Sequence, residues 1–432
     1  MSDFKLLGVA GNPILHSLSP AIWQNAIDAL GIEASYLKIP ANSAREVIDI
    51  FKRCGLQGMS VTAPFKKAII PFLDELDERA AFLESVNTVV SKRGKLYGYN
   101  TDVDGVKNSI QPYCKTGMKA LITGTGGAAP AAMQALRELG LSFSVYGRNQ
   151  KKRKELAEKF QCAEFDIANV NQDLKNFDIV VSTLPAGADV IDPGSLKKEH
   201  IVLDANYKHS VLGEYAKRVG ATFISGKTWL AHQAIPAFKM VTDKVAGFDT
   251  LYGGFNNTYR FPEIITLTGF MGSGKTTVGR TLASNIGYEF VDIDEKIEQQ
   301  ERMTIPEIFE TKGEACFRKM ESVLLHEIIQ KKKLVIACGG GIISDENNRM
   351  ILQEKTLCFW LDASVEYCLD TLDISNRPLL QVDNPLVKAK ELYESRVEDY
   401  ALSAHVLMNV EGKTTNEISN KIYEEISECF NI

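Results

Sequence analysis

The sequence predicts an α/β fold divided into about three domains. Short apolar, β-rich runs alternate with helical patterns along the chain, and this alternation is typical of parallel sheets covered by helices. The chain has 432 residues, and a domain averages about 150 residues. Hydrophobic residues make up 45% and charged residues 24% of the chain, as in ordinary globular proteins. These proportions exclude a disordered, collagen-like or coiled-coil chain.

Charge and cysteine content narrow the class of protein. The 49 basic and 55 acidic side chains give a formal net charge of −6, which argues against nucleic acid or an anionic membrane as a partner. The eight cysteines include no C-x-x-C pair, so we expect free thiols in a reducing cytoplasm. The apolar run at Leu6–Ala10 is too short for a signal-peptide core, and no stretch approaches the roughly 18–20 residues of a membrane span. The sequence therefore indicates a cytoplasmic protein, with its oligomeric state open.

The predicted elements follow in chain order. Helices are expected over Ser19–Leu30 and Ala128–Leu139, because each has a proline in its first turn and a glycine just past its end. A cluster of glycine and asparagine at 253–257, before Pro262, predicts a linker that precedes a second α/β series. The predicted strands are Leu6–Ala10, Leu121–Thr123, Phe143–Tyr146, Ile179–Thr183, Ile201–Leu203, Ile264–Thr268 and Leu334–Ala337.

The strongest local motif is a phosphate-binding loop. The segment from Gly269 to Thr276 fits G-x-x-x-x-G-K-S/T and lies between a predicted strand and a helix that starts near Thr277. The glycines let backbone N–H groups surround phosphates at the positive end of the helix. Lys275 is expected to reach the β- and γ-phosphates of ATP, and the Thr276 hydroxyl to ligate Mg²⁺. The predicted nucleotide-binding residues are Gly272, Gly274, Lys275, Thr276 and Thr277.

Two further pairs have alternative interpretations. Asp292 and Asp294 follow a strand, so one carboxylate can join a magnesium shell while the other accepts or orients a hydroxyl proton for phosphoryl transfer. A pair of this kind also commonly caps the next helix. Arg318 and Glu321 are neighbours on one helix face. They form either an ordinary surface ion pair or a glutamate that orients an arginine toward a carboxylate.

The order of motifs in the C-terminal part resembles shikimate kinase over residues 262–432. Three glycines follow a strand at Cys338–Gly341, an R-P-L-L stretch begins at Arg377, and an arginine lies four residues before Tyr400. By this resemblance, Asp292 joins Thr276 around magnesium and Arg377 closes over the ATP phosphates as part of a lid. The family usually has Pro-Leu where this chain has Glu398-Asp399. The residues that would hold shikimate are Asp294, Arg318, Gly340 and Arg396, with Lys275 and Asp294 as the catalytic residues.

A second nucleotide loop precedes the linker. The residues Gly124, Gly126, Gly127 and Ala128 lie between a predicted strand and helix, which favours dinucleotide binding over a structural tight turn. The end of the next strand carries Arg148 and then the basic run 151–154, with no carboxylate before Glu155. Basic groups at this position suit a 2′-phosphate, so NADP is favoured over NAD. The alternative is a solvated helix start.

The first 111 residues carry four polar motifs: Ser17-Leu-Ser19-Pro20, the run from Ser60 to Lys66, Val86-Asn87-Thr88, and Tyr99-Asn100-Thr101-Asp102. Each is ordinary when taken singly, since serines cap helices and Asn-Thr-Asp runs form turns. As an ordered set, with a late glutamine, they resemble shikimate dehydrogenase over residues 4–245. The sequence departs from that family at Ser60, at Glu84-Ser85, and at Gly147 and Asn149. The resemblance assigns substrate binding to Ser17, Ser19, Thr62, Asn87, Asp102 and Gln233, and catalysis to Lys66 and Asp102.

The chemistry of a ketone reduction agrees with this pair. Hydride addition leaves an alkoxide, and the Lys66 ammonium can donate the proton that the alkoxide needs. Asp102 favours the charged ammonium, so it is better suited to orient Lys66 and a substrate hydroxyl than to make the lysine a stronger acid.

Together the resemblances imply a bifunctional enzyme of chorismate and aromatic amino acid biosynthesis. It would reduce 3-dehydroshikimate with NADPH and then phosphorylate shikimate with Mg-ATP. The expected domains are 1–111 with a returning segment 235–257, 112–234 for NADP, and 262–432 for the kinase. Alternatives are a quinate/shikimate dehydrogenase fused to another small-molecule kinase, and a ligand sensor without turnover.

Overall fold

The computed structural model of the protein describes residues 4–188, 190–207, 209–256, 263–372 and 377–430. The strands are β1 (Lys5–Gly11), β2 (Ala34–Pro40), β3 (Gly58–Val61), β4 (Glu75–Leu76), β5 (Thr88–Lys92), β6 (Lys95–Tyr99), β7 (Lys119–Thr123), β8 (Ser142–Gly147), β9 (Ala163–Asp166), β10 (Ile179–Ser182), β11 (Ile201–Asp204), β12 (Thr222–Ile224), β13 (Ile264–Thr268), β14 (Glu289–Asp292), β15 (Leu334–Ala337), β16 (Leu357–Asp362) and β17 (Val406–Asn409).

The helices alternate with these strands. They are α1 (Ser19–Ala29), α2 (Ala44–Arg53), α3 (Phe65–Ala68), α4 (Glu78–Leu83), α5 (Asp102–Ile110), α6 (Ala129–Glu138), α7 (Gln150–Phe160), α8 (Val170–Asp173), α9 (Val211–Val219), α10 (Gly226–Thr242), α11 (Phe248–Gly253), α12 (Lys275–Ile286), α13 (Ile293–Glu301), α14 (Ile305–Lys312), α15 (Glu314–Ile328), α16 (Glu346–Lys355), α17 (Val365–Asp370), α18 (Pro385–Glu394), α19 (Val397–Ser403) and α20 (Thr415–Phe430).

The α/β prediction is confirmed, and every strand predicted from the sequence is present: two have the predicted ends, and the other five differ by one or two residues at one or both ends. The described part of the predicted linker is helical and packed, since α11 runs to Gly253 and a 3₁₀ turn covers Gly254–Asn256, and the linker itself stays a prediction. A side chain at Gly254 would meet the Ala21 carbonyl oxygen at 2.5 Å, so this turn packs tightly against α1. Asn257 and Pro262, the ends of the predicted linker, lie outside the described residues. Among the described residues, no helix is long and apolar enough to cross a membrane.

The chain forms two compact units. The first contains residues 4–20, 32–59 and the described residues from 263 onward; the second contains residues 21–31 and the described residues of 60–256. In the first unit, seven parallel strands follow the order β14-β15-β13-β16-β17-β2-β1. Strands from the two ends of the chain meet where β17 pairs with β2, with Val406 opposite Lys38. The Lys38 N–H donates to the His405 carbonyl at 3.0 Å.

A buried carboxylate stabilises this join. The Asp362 side chain at the end of β16 is fully buried and forms an ion pair with Arg53 on α2 at 2.6 Å. The Tyr393 hydroxyl donates to the other Asp362 oxygen at 2.6 Å. The Arg53 guanidinium also donates to Asn409 Oδ1 at 2.8 Å. Because a buried charge is costly without partners, this cluster ties α2 firmly to β16 and β17.

The second unit contains a six-stranded parallel sheet with the order β12-β11-β10-β7-β8-β9. Successive β7 residues point to opposite faces, so Leu121 and Ile122 belong to different hydrophobic clusters. Both faces are therefore covered, as is usual for a parallel sheet. Strand β5 pairs antiparallel with β6, and β4 pairs parallel with β6. Helices α5 and α10 pack closely because a side chain at Gly105 would meet the Trp229 ring at 2.4 Å.

We expect the substitution Arg53→Met to lower the free energy of unfolding by about 3 kcal/mol, because it leaves the Asp362 carboxylate buried without its cationic partner. Arg280→Met is the matched control, since Arg280 is mostly exposed and forms an exposed ion pair with Glu295. That variant is expected to change stability by at most about 1 kcal/mol. Urea unfolding followed by fluorescence measures the stability of both variants. Equal unfolding midpoints would contradict the claim that the buried pair of Arg53 and Asp362 stabilises this unit.

Candidate active sites

The phosphate-binding loop of the first unit connects β13 to α12. Gly272 has φ +82°, and a side chain there would meet the Cys368 carbonyl oxygen at 2.3 Å, so only glycine fits. Lys275 Nζ donates to the carbonyls of Gly269 and Phe270 at 2.9 and 2.8 Å. Burial lowers the pKa of Lys275. The Lys275 side chain therefore folds back over the loop. A phosphate bound in the loop would contact the Lys275 ammonium and the backbone N–H groups around it.

Asp292 accepts hydrogen bonds on both of its carboxylate oxygens. Its Oδ1 accepts from the N–H groups of Asp294 and Glu295 at 2.9 and 3.2 Å, which caps α13. Its Oδ2 accepts from the Thr276 hydroxyl at 2.6 Å. Both alternatives raised by the sequence are therefore compatible with one carboxylate. A hydroxyl and a carboxylate oxygen in contact are the hard ligands that Mg²⁺ takes together with substrate phosphates.

Two cavities meet at Asp294. The larger has a volume of about 420 Å³ and is lined by the phosphate-binding loop, Thr276, Asp292 and Lys413. The smaller has about 70 Å³ and is lined by Phe317, Arg318, Glu321 and Arg396, among others. Asp294, Gly340 and Arg377 line both. A group bound in either cavity therefore reaches the same carboxylate.

Asp294 has the properties of a proton acceptor. Burial, together with the nearby Asp292 carboxylate, raises its pKa to about 6, although Lys275 and two arginines oppose the shift. Its Oδ1 atom is buried and has no hydrogen-bond partner among the described residues. A carboxylate with a free oxygen and a pKa near neutrality is suited to accept a hydroxyl proton.

The ion pair of Arg318 with Glu321 is not on the surface. Arg318 Nη1 lies 2.6 Å from Glu321 Oε2, and the Glu321 side chain is 1% exposed. Burial raises the pKa of Glu321 to about 7, against the effect of Arg318. Glu314 contacts the other side of the guanidinium at 2.9 Å. The two glutamates fix the direction of Arg318, which lines the smaller cavity.

The three glycines after β15 have different functions. A side chain at Gly339 would meet Glu321 Oε1 at 2.1 Å, and one at Gly341 would meet the Arg318 guanidinium at 2.4 Å. The Gly340 carbonyl accepts from Arg396 Nη1 at 3.2 Å and from the Tyr400 hydroxyl at 2.8 Å. The arginine and tyrosine thus share one acceptor, which explains their spacing of one helical turn.

The sequence predicted the pair of Arg318 and Glu321 but did not reveal the close packing of the outer glycines against it or the shared acceptor of Arg396 and Tyr400. The departure at Glu398-Asp399 also has a structural account, because Asp399 pairs with Arg349 at 2.9 Å. Arg377 is half-buried beside both cavities. Residues 373–376, next to the predicted lid, lie outside the described residues, so the lid stays a prediction.

In the second unit, Lys66 and Asp102 come together. Lys66 Nζ lies 2.5 Å from Asp102 Oδ2, and the side chains are 21% and 5% exposed. Lys66 belongs to the short helix α3, and Asp102 is the first residue of α5. The positive end of α5 favours the Asp102 carboxylate. The Lys66 carbonyl also accepts from the Val86 N–H at 2.8 Å, which fixes α3 against the start of β5.

Asn87 is buried and bound to its neighbours. Its Oδ1 accepts from the Thr101 N–H at 2.8 Å, and its Nδ2 donates to Thr101 Oγ1 at 3.1 Å. These bonds join the two predicted Asn-Thr motifs directly beside Asp102. Thr62 is half-buried, four residues before Lys66 and just ahead of α3. Gln233 is half-buried on α10, one helical turn after the Trp229 that packs against α5.

Ser17 and Ser19 belong to the first unit, where Ser17 lies in the loop between β1 and α1 and Ser19 is the first residue of α1. The Ser17 N–H donates to the Ile14 carbonyl at 2.9 Å. The Ser19 N–H donates to Ser17 Oγ at 3.3 Å. Ser19 is 7% exposed and Ser17 is half-buried. These bonds fix the backbone at both serines and hold the Ser17 hydroxyl against the Ser19 N–H.

The glycine-rich loop of the second unit leaves open space. Gly124 has φ +103°, and a side chain there would meet Thr183 Oγ1 at 2.6 Å. At Gly126 and Gly127, by contrast, a side chain would meet nothing within 4 Å. The loop leads directly into α6, whose N-cap is Ala128. A phosphate can thus approach this backbone closely, at the positive end of the helix.

The basic residues that follow β8 differ in their exposure and in their partners. Arg148 is exposed, whereas Arg153 is buried and forms ion pairs with Glu164 at 2.6 Å and with Asp166 at 3.0 Å. Arg153 therefore adds no free positive charge to the loop. Gly147 permits close contact here, because a side chain would meet Thr125 Cγ2 at 2.6 Å.

Three family models match separate parts of the chain. The shikimate dehydrogenase substrate binding domain matches residues 9–89, the shikimate / quinate 5-dehydrogenase family matches 107–204, and the shikimate kinase family matches 271–427. The matches follow one another without overlap, in the order that the motifs predict.

Individual proteins agree with this division. The shikimate dehydrogenase (NADP⁺) of Aquifex aeolicus is 36% identical over 248 residues, which cover 55% of this chain and 90% of the relative. The shikimate kinase of Thermodesulfovibrio yellowstonii is 41% identical over 168 residues, which cover 39% of this chain and 96% of the relative. The crystal structure of shikimate dehydrogenase from Aquifex aeolicus matches with TM-score 0.57 and 30% identity over 60% of this chain and 99% of that one. The chain therefore belongs to the shikimate dehydrogenase family over its N-terminal part and to the shikimate kinase family over its C-terminal part, as a fusion of two shikimate-pathway enzymes.

Proposed function

We propose that this chain reduces 3-dehydroshikimate to shikimate with NADPH and then phosphorylates shikimate at its 3-hydroxyl with Mg-ATP, in two separate sites. The proposed domains are 1–111 with the returning segment 235–257, 112–234, and 262–432. The observation that carries the kinase proposal is Asp294, which lines both cavities of the first unit. The ion pair of Lys66 with Asp102 supports the dehydrogenase proposal. We also propose a cytoplasmic location, since none of the cysteines described is in a disulfide.

In the reduction, Lys66 protonates the substrate oxygen. Bound NADPH supplies the hydride that reduces the carbonyl carbon. The Lys66 ammonium then gives its proton to the alkoxide oxygen, and Asp102 orients the ammonium through the 2.5 Å contact. Ser17, Ser19, Thr62, Asn87 and Gln233 are the proposed partners of the substrate's hydroxyl groups and carboxylate.

The residues fit NADP. Open space at Gly126 and Gly127 admits the pyrophosphate beside the start of α6, together with Gly124 and Ala128. Exposed Arg148 is the proposed partner of the 2′-phosphate, because Arg153 is already neutralised by two carboxylates. No acidic residue lies at the end of β8 to bind a ribose 2′-hydroxyl.

In the phosphoryl transfer, the chain positions two substrates around Asp294. ATP occupies the larger cavity, with its phosphates on Gly272, Gly274, Lys275 and Thr277, and with Arg377 beside them. Shikimate occupies the smaller cavity, where Asp294 accepts the proton of the attacking hydroxyl. Thr276 and Asp292 fit Mg²⁺, which would neutralise phosphate charge there.

Two arginines favour a substrate with a carboxylate. Arg318 and Arg396 both line the smaller cavity, and Glu321 and Gly340 fix their directions. A neutral polyol offers these cations no counter-charge, whereas the carboxylate of shikimate offers a planar, bidentate acceptor. The competing proposal for the dehydrogenase is quinate, because the matched family includes quinate enzymes.

The central experiment follows NADPH absorbance of the purified chain with 3-dehydroshikimate, and then adds Mg-ATP. We expect absorbance to fall in the first stage and shikimate 3-phosphate to appear in the second. A parallel assay offers quinate with NADP⁺. The first proposal is wrong if absorbance stays constant, and the quinate alternative replaces it if only quinate is turned over. A chain that binds both ligands without turnover would be a sensor.

The two sites are expected to be separable by single substitutions. Lys66→Ala should reduce dehydrogenase kcat at least about 100-fold, because it removes the proton donor, and leave the kinase within about twofold. Lys275→Ala should do the reverse. Lys67→Ala is the matched control for the first variant, since Lys67 is 75% exposed and pairs with Glu84. Steady-state assays of both reactions test this, and loss of both activities in either variant would contradict two independent sites.

Arg148 is expected to select NADPH. Arg148→Ala should raise KM for NADPH about tenfold by removing the counter-charge of the 2′-phosphate, and should leave KM for NADH within about twofold. Lys154→Ala, at an exposed position of the same basic run, should change neither. The test measures KM for NADPH and for NADH with the wild type, Arg148→Ala and Lys154→Ala. If Arg148→Ala raised both KM values by the same factor, Arg148 would have no part in cofactor selection.

Arg318 is expected to bind the substrate carboxylate. Arg318→Met should raise KM for shikimate about 100-fold, because it loses a bidentate charged contact, with KM for ATP nearly constant. The carboxamide analogue of shikimate should be a poor substrate for the wild type and should lose little more in the variant. If Arg318→Met raises KM for shikimate and for its carboxamide analogue by the same factor, Arg318 does not bind the carboxylate. Arg280→Met serves as the surface-arginine control.

A further inference from the structure

The loop that carries Ser17 and Ser19 is held by the last helix of the kinase part. Glu425 on α20 accepts from the N–H groups of Ile14 and Leu15 at 2.8 and 2.9 Å, both through Oε2. The Glu425 side chain is 1% exposed. Two buried backbone donors of a dehydrogenase loop therefore have their acceptor in the other enzyme of the fusion.

A second residue of α20 supports the same contact. Lys421 lies one helical turn before Glu425, with Nζ 3.1 Å from Glu425 Oε1. Lys421 Nζ also donates to Asn12 Oδ1 at 2.5 Å. The lysine side chain is 9% exposed. A buried carboxylate with a buried cation and two N–H donors is well compensated, so the contact has one defined geometry.

Hydrogen bonds connect this contact to the serines. Glu425 fixes the backbone of Ile14, and the Ile14 carbonyl accepts from the Ser17 N–H at 2.9 Å. Ser17 Oγ in turn accepts from the Ser19 N–H at 3.3 Å. The path from the Glu425 carboxylate to both hydroxyl-bearing residues therefore consists of consecutive hydrogen bonds in one short loop.

The kinase cavities do not use Glu425. Neither cavity described above includes it in its lining, although Ile418 of the same helix lines the larger one. Helix α20 also packs near the nucleotide-binding helix, where Asn285 donates to Ser419 Oγ at 3.2 Å. A single helix thus contacts the nucleotide cavity with one segment and the dehydrogenase loop with another.

We propose that Glu425 is a positioning residue of the dehydrogenase, supplied by the kinase part of the chain. It sets the places of the Ser17 and Ser19 hydroxyl groups through the backbone of residues 14 and 15. The inference rests on the substrate-binding role proposed above for these serines. Since both hydroxyls bind the substrate in the ground state and the transition state alike, their displacement raises KM and leaves kcat nearly unchanged.

The experiment uses the full chain with Glu425→Ala, Glu425→Gln and the control Glu424→Ala. Glu424 is the adjacent residue of the same helix, 67% exposed, with only a 3.8 Å contact to Lys421. We expect Glu425→Ala to raise KM for 3-dehydroshikimate about tenfold with kcat within about twofold. Glu425→Gln retains one oxygen acceptor and should raise KM about threefold. Glu424→Ala should match the wild type.

Ser17→Ala and Ser19→Ala distinguish positioning from general structure. Each should raise KM on its own, and adding Glu425→Ala to the double-serine variant should raise it by less than the product of the separate effects. The positioning role would be overturned if the KM increase of the combined variant equalled the product of the separate increases. It would also be overturned if Glu424→Ala raised KM as much as Glu425→Ala. A wild-type KM in Glu425→Ala alongside raised values in the serine variants would overturn it as well.

Two further results keep the outcomes distinct. Unchanged KM in both serine variants would reject their substrate role, which is a failure of the proposed function rather than of the contact. The kinase activity of each variant reports folding, because Glu425 does not line its cavities. If Glu425→Ala loses kinase activity as well, the test relies on Glu425→Gln. A wild-type KM for 3-dehydroshikimate in Glu425→Gln would then overturn the inference.

Discussion

The parallel pairing of β17 with β2 is the constraint on which the first unit depends. Because the seven strands from β14 to β1 are all parallel, their carboxyl ends lie at one edge of the sheet. The phosphate-binding loop leaves from β13, the three glycines from β15 and the serine loop from β1. Four strand steps separate β13 from β1, or about 19 Å at the usual strand spacing. The fusion thus places dehydrogenase and kinase loops along one continuous edge.

The buried carboxylates of this unit divide into two kinds. Both oxygens of Asp362 accept hydrogen bonds, and Oε2 of Glu425 accepts two, so these two carboxylates serve the architecture. Asp294 and Glu321 each keep an oxygen without a hydrogen-bond partner among the described residues, and burial raises the pKa of both. Asp294 and Glu321 both line the smaller cavity, so a bound ligand can supply the partners that their open oxygens lack.

Local patterns were enough to predict the α/β class, the strands and both glycine-rich loops, because period, turn residues and caps act over a few positions. They did not predict the join at Val406 and Lys38, since pairing between distant strands leaves no local signal. The basic run 151–154 suggested a 2′-phosphate partner or a solvated helix start, but Arg153 is buried against carboxylates that lie one strand away. The burial of Glu321 and the packed turn at Gly254 likewise depend on tertiary neighbours. The residue roles at the two sites remain predictions that these contacts support.

The join also has a consequence for synthesis of the chain on the ribosome. Strand β2 has its backbone groups paired with β1 on one side and meets β17 on the other, but β17 lies roughly 370 residues further along. At about 5–20 residues per second, translation takes about 20–75 s to cover that distance. During this interval the far side of β2 is an open edge, which can template pairing with other chains. Completion of the kinase part removes that edge, so the C-terminal enzyme acts as a late protective partner for the N-terminal one.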